Sequence, residues 1–124
     1  MSEFLTNFTT DLKDNLNGFI GVSVTELKTG MSFASLSVDP KFDPELASAY
    51  NLEVVKAKLS AIKALGLTEK IDDILITLSN QLHIIDLSDN GEYFVYLAVD
   101  SNKVNLGMAR ATLKKYSKDI ASKM

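Results

Sequence analysis

The chain has 124 residues, 46% of them hydrophobic and 23% charged, with 13 lysines and arginines against 16 aspartates and glutamates for a formal net charge of -3. That is enough apolar material for one domain with a continuous core, expected over residues 1–124, and an acidic balance without a basic block leaves no electrostatic footprint for nucleic acid. The lack of cysteine excludes disulfides and thiolate metal sites and suits a cytoplasmic protein; no run reaches the roughly 18 apolar residues of a membrane span, and the acidic residues in MSEFLTNFTTDLKDNL argue against a signal peptide.

Phe4, Leu5, Phe8, Leu12 and Leu16 recur at helical spacing and predict a first helix ending near Asn17 and Gly18. Phe19 to Leu27 then reads as a strand, turning through Lys28, Thr29 and Gly30 into a second strand from Met31 to Val38. Asp43, Pro44 and Glu45 together start a helix, since Asp caps free N–H groups, Pro is tolerated in the first turn and Glu suits the positive end. This long helix runs from Pro44 to Leu65, and Gly66 stops it. Ile71 to Ser79, His83 to Leu87 and Tyr93 to Val99 predict three more strands, the last two joined by a hairpin at Asn90 and Gly91. A final helix is expected from about Asn102 to Ser122.

The order defines an α+β fold, a five-stranded and mainly antiparallel sheet. Phe94 and Ala98 alternate with Val95, Leu97 and Val99, so both faces of the fifth strand are apolar and helices should cover both, the long helix on one and the first and last helices on the other. In the last helix Leu106, Ala109, Leu113, Tyr116 and Ile120 form the core stripe, with Arg110, Lys114, Lys115 and Lys118 away from it.

The long helix carries two apolar stripes. Leu46, Tyr50, Val54, Ala57, Ala61 and Leu65 are expected to face the sheet. Leu52, Val55, Leu59 and Ile62 lie on the other side at the spacing of a helix pair, so they are expected to meet the same helix of a second copy. The third strand adds a second self-association signal. Ile74, Ile76 and Leu78 lie in an edge strand with no lysine or proline to protect it.

No catalytic or cofactor site emerges. Gly107, in NLGMARA, sits at a helix start where backbone N–H groups could hold a phosphate, but neither the dinucleotide fingerprint nor the Walker loop is present. Close packing of another backbone is the expected role of this glycine. His83 is the one histidine and is expected to be a packed or edge side chain; a weak hydrolase would have to centre on it. Asp72 and Asp73 alternate in direction along a strand and are expected to be solvated strand-end charges.

The order of elements, the segment VNLGMAR with Asn105, Leu106, Gly107 and Arg110, and the first hairpin from Gly18 to Ser35 resemble the roadblock family, which includes dynein light chains and their bacterial relatives. The resemblance implies a non-enzymatic homodimer, with the long helices side by side and the third strands extending the sheet between subunits. It implies that the paired surface binds a small Ras-like GTPase or a motor subunit, with no cofactor. On that arrangement Glu53, Lys56 and Lys63 form a charged rim that meets the partner, one GTPase per dimer. The competing expectation is a small-molecule sensor with a profilin-like or PAS-like sheet, which requires a sizeable internal cavity.

Overall fold

The computed structural model describes residues 2–124. The first helix, α1 (Glu3–Asn15), starts at Ser2, whose hydroxyl accepts a hydrogen bond from the Leu5 amide at 3.2 Å. Strands β1 (Phe19–Glu26) and β2 (Ser32–Ser37) follow, then α2 (Pro44–Ala64), β3 (Asp73–Thr77), β4 (Gln81–Leu87), β5 (Tyr93–Asp100) and α3 (Leu106–Lys123). All strand pairs are antiparallel and the sheet order is β2-β1-β5-β4-β3. The most apolar strand, β5, is thus central, and β2 and β3 are the edges.

Two clusters fill the two faces of the sheet. On one, Leu5, Phe8 and Leu12 of α1 and Ala109, Leu113 and Ile120 of α3 pack with Val22, Val24, Ile84, Val95 and Leu97. On the other, Leu52 and Val55 of α2 pack with Leu27, Ile85, Phe94, Tyr96 and Ala98. The alternation along β5 therefore feeds both layers, as its sequence requires.

Three features differ from the sequence reading. The third strand is shorter because the Leu78 amide donates to Gln81 O at 2.8 Å and closes the turn to β4, which itself begins two residues early. The last helix starts at Leu106 rather than Asn102, because the Lys103 and Val104 amides turn back onto Asp100 O and the Asn105 side chain caps the helix by accepting from the Met108 amide at 3.0 Å. Close backbone approach occurs at Gly18 instead of Gly107. Gly18 has φ +82° and a Cβ there would lie 3.0 Å from Asp100 O, whereas a Cβ on the exposed Gly107 would meet only Asn105 Oδ1 at 3.4 Å, so the packing role expected of Gly107 is not what the fold uses it for.

Candidate interaction surface

The surface is built on α2. Asp43 Oδ1 accepts from the Glu45 and Leu46 amides at 3.0 and 3.2 Å, and Pro44 occupies the first turn. At the other end the Leu67 amide reaches Ile62 O at 3.1 Å and the Gly66 amide reaches Lys63 O at 3.1 Å, with Gly66 at φ +70°. This pair of bonds is a Schellman stop, which needs a left-handed residue at Gly66.

Between these caps the two apolar stripes exchange the roles expected of them. Val55 is fully buried and Leu52 is 8% exposed, both against the sheet, while Leu46 (58%), Tyr50 (74%), Val54 (39%) and Leu65 (69%) face solvent. Leu52 and Val55 are therefore core residues and cannot face a second copy. The physical reason is that the sheet-facing line begins with Pro44 and the buried Ser48, two turns and one turn before Leu52, and Ser48 hydrogen-bonds the buried Thr25 hydroxyl of β1. A serine with a hydrogen-bond partner on the sheet can be buried in the sheet-facing line.

The same line continues through Leu59 and Ile62, but with less beneath it. Leu59 is 39% exposed and Ile62 is half-buried. The backbone of the helix runs close to β1, β2 and β5 and not to β3 or β4, so its C-terminal half overhangs the sheet. Ile74 and Ile76 of β3 consequently point to the α2 face only half-buried, and Leu78 lies 45% exposed in the β3–β4 turn. Val54, Lys58 and Ile62 form one wall of an open groove of about 490 Å³ whose other wall is Leu67 to Ile74. Glu53, Lys56 and Lys63 are all exposed, and Lys56 lines a separate open groove of about 550 Å³ with Glu26, Lys28 and Glu92. The structure thus brings Ile62 and Ile74 to one groove and leaves the proposed rim charge Lys56 on the other flank.

His83 lies in β4 against the rings of Phe42 and Tyr96. Its Nδ1 is 3.0 Å from Tyr96 Oη and its Nε2 is 2.8 Å from Gln81 Oε1. The amide oxygen can only accept, so Nε2 carries the proton and Nδ1 accepts from the tyrosine. Burial holds the imidazole below its ordinary value of 6.5 and pushes the Tyr96 phenol up to about 12. A neutral histidine held by a tyrosine and a glutamine has no carboxylate to orient it, which is poor equipment for a general base. Among the described residues there is no group of three or more His, Cys, Asp or Glu side chains able to hold a metal ion, and no helix is long and apolar enough to cross a membrane.

Two features escaped the sequence reading. One is the outward orientation of the Leu46, Tyr50, Val54 and Leu65 stripe. The other is a polar tie on the opposite face, where Arg110 of α3 donates to both carboxylate oxygens of Asp73 at 2.9 and 3.1 Å, so that Asp73 is an ion-pair partner rather than a solvated strand end. Lys114 donates to Asp72 O at 3.2 Å and to the buried Asp86 at 3.4 Å, and Asp86 also accepts from Ser117 Oγ at 2.8 Å. The alternation of apolar and acidic residues at the ends of β3 and β4, set against basic residues one turn apart in the last helix, was the available signal.

No protein-family model matches the sequence, and no curated protein matches it significantly. Solved structures do match. The chain is similar to a Roadblock/LC7 domain from Streptomyces avermitilis, at TM-score 0.79 and 10% identity over 93% of this chain and 92% of that one. It is similar to MglB from Myxococcus xanthus, at TM-score 0.77 and 15% identity over 98% and 96% of the two chains. It is likewise similar to the gliding protein MglB from Thermus thermophilus, at TM-score 0.79 and 17% identity over 97% and 87%. The chain has the fold of roadblock-domain proteins.

Proposed function

We propose that the protein is a non-enzymatic roadblock-type regulator or scaffold that forms a homodimer and binds a small Ras-like GTPase. The observation that carries the reading is the outward stripe of α2, Leu46, Tyr50, Val54 and Leu65, beside the open edge of β3. Four large exposed apolar side chains on one helix, next to an unpaired strand edge, are the two features that self-pairing would cover. The groove walled by Val54 and Ile62 on one side and Ile71 and Ile74 on the other is where the second copy's helix seats. One of the similar structures is described as MglB with a tetrameric arrangement, so assembly of this fold with itself has a precedent.

The GTPase part rests on the roadblock resemblance. With the helices paired through the corrected stripe, Glu53, Lys56 and Lys63 remain on the outer flank, free to set encounter rate and specificity for one GTPase per dimer. The sensor reading has less support, since the space between α2 and the sheet is filled by Leu52, Val55, Phe94 and Tyr96, and the grooves lie open at the surface.

The test has two stages. Light scattering at micromolar concentration gives twice the chain mass, and Val54→Asp returns it to the single-chain mass without loss of helicity. The immobilised dimer is then exposed to native lysate with a non-hydrolysable GTP analogue or with GDP. Retention of a small protein carrying a G-x-x-x-x-G-K-[ST] loop, dependent on which nucleotide is present and weakened by Lys56→Glu with Lys63→Glu, supports the proposal. A monomeric wild type, or no nucleotide-dependent retention, removes it.

A further inference from the structure

The register of the β3–β4 pair places Asp73 directly opposite Asp86. Two carboxylates facing each other across an antiparallel pair repel and push the strands apart. Here Asp73 begins the strand that forms one edge of the sheet, which has a neighbour on one side only and no helix backbone close to it. Left uncompensated, this pair would splay β3 away from β4 at its first residue.

What compensates it comes from a different layer. Arg110 grips Asp73 with two parallel hydrogen bonds at 2.9 and 3.1 Å, and the Asp73 side chain is only 14% exposed. Lys114, one turn on, neutralises Asp86, whose side chain is 3% exposed, and also holds the backbone just before the strand through Asp72 O. Ser117 supplies a third bond to Asp86. A planar guanidinium bound to both oxygens fixes orientation as well as distance. Both cations project from α3, so the last helix determines how the edge strand lies.

We propose that Arg110 and Lys114 are positioning residues for assembly: they latch β3 flat against β4 and so present its outer edge in the geometry that a second copy pairs with. This rests on the homodimer reading above. The latch also gives a reason for a basic residue five positions after the Asn105 cap, where it leaves the helix toward the start of β3.

The experiment compares wild type, Arg110→Gln, the double variant Asp73→Asn with Arg110→Gln, and Lys118→Gln as a control one turn beyond Lys114. Two quantities are read: hydrogen exchange of the β3 amides bonded to β4, relative to those of β5, and the dimer dissociation constant by sedimentation. Removing Arg110 alone leaves Asp73 facing Asp86 without its own cation, and both quantities rise about tenfold or more; removing the Asp73 charge as well returns both to within about threefold of wild type. A role in bulk stability alone would make the double variant at least as damaged as the single one, and would raise exchange in β5 equally. Either result overturns the latch. So does raised β3 exchange in Arg110→Gln with an unchanged dimer constant, because β3 geometry would then not govern assembly. A wild type that stays monomeric overturns the dimer reading, and the role in assembly with it, while β3 exchange in the monomer still separates that failure from a failure of the latch.

Discussion

Thr25 of β1 and Ser48 of α2 hydrogen-bond to each other hydroxyl to hydroxyl, both almost fully buried between helix and sheet. This contact tells the helix which side to turn down. Ser48→Ala leaves the Thr25 hydroxyl buried without a partner and lowers the unfolding free energy by about 1–3 kcal/mol, whereas Thr25→Val combined with Ser48→Ala recovers part of the loss because neither partner is then left wanting. Urea unfolding of the three variants checks this. An equal or larger loss in the double variant would show that the bond itself, rather than the stranded hydroxyl, matters.

Adjacent positions on α2 should behave as opposites. Val55 is fully buried and Val54 is 39% exposed. Val55→Ala removes two buried carbons and leaves a void, costing about 2 kcal/mol of stability in the single chain. Val54→Ala costs under about 0.5 kcal/mol there, as surface changes do, yet it weakens pairing. Both are measured by chemical denaturation at submicromolar concentration, where association adds least to apparent stability. A larger loss at Val54 than at Val55 would return α2 to the orientation that its sequence suggested.

His83 gives the fold a pH dependence whose sign is fixed. Its folded pKa lies below the ordinary 6.5 because burial disfavours the imidazolium, so between the two values the unfolded chain binds more protons than the folded one. The contribution is fully present above about pH 6.5 and is lost as pH falls from there toward the folded value. Asp86 acts with the opposite sign lower down: burial raises it above 3.8, so its contribution falls as pH climbs from 3.8 through the folded value. The difference in unfolding free energy between wild type and His83→Gln should therefore shrink on acidification below pH 6.5. A difference that stays flat down to pH 5 would mean that His83 is not desolvated in solution.

Gly107 offers a simple check on the absence of a phosphate site. A Cβ there meets only Asn105 Oδ1 at an ordinary 3.4 Å, and the backbone is helical. Gly107→Ala is expected to be neutral or to stabilise by up to about 1 kcal/mol. Calorimetric titration with GTP or ATP is expected to give no binding to either form. Micromolar binding that vanishes in the variant would make the loop a nucleotide site after all.

Element order, the start of α2 and the last hairpin could be read from the chain because each depends on nearby residues: Asp43 before Pro44, Asn90 before Gly91, and the helical period of α1. The seating of α2 could not. Both of its stripes are apolar, and the choice between them depends on Thr25, well before the helix begins, and on how far the sheet extends beneath it. Hydrophobic periodicity says that a face is buried and does not count a serine with a partner as part of it. The Arg110–Asp73 pair escaped for a related reason, since 37 positions separate the two residues and only the packing of α3 over the sheet brings them together.

The overhang of α2 bears on what happens to a chain that has not found its partner. Beyond Val55 every residue to Ser60 is exposed, and only Ala61 and Ile62 are half-covered before the helix ends. A segment this short does not hold a helix by itself, since isolated helices need roughly 12–15 residues, so these last turns depend on the seated half before them. They also carry Lys56, Lys58 and Lys63. The solitary chain is expected to be nicked by trypsin in this segment before it is cut after Arg110 or Lys114 in α3, and the paired chain to be spared. Cellular proteases that act on frayed lysine-rich segments would then clear unassembled copies sooner than assembled ones, tying the lifetime of each chain to whether it has been matched.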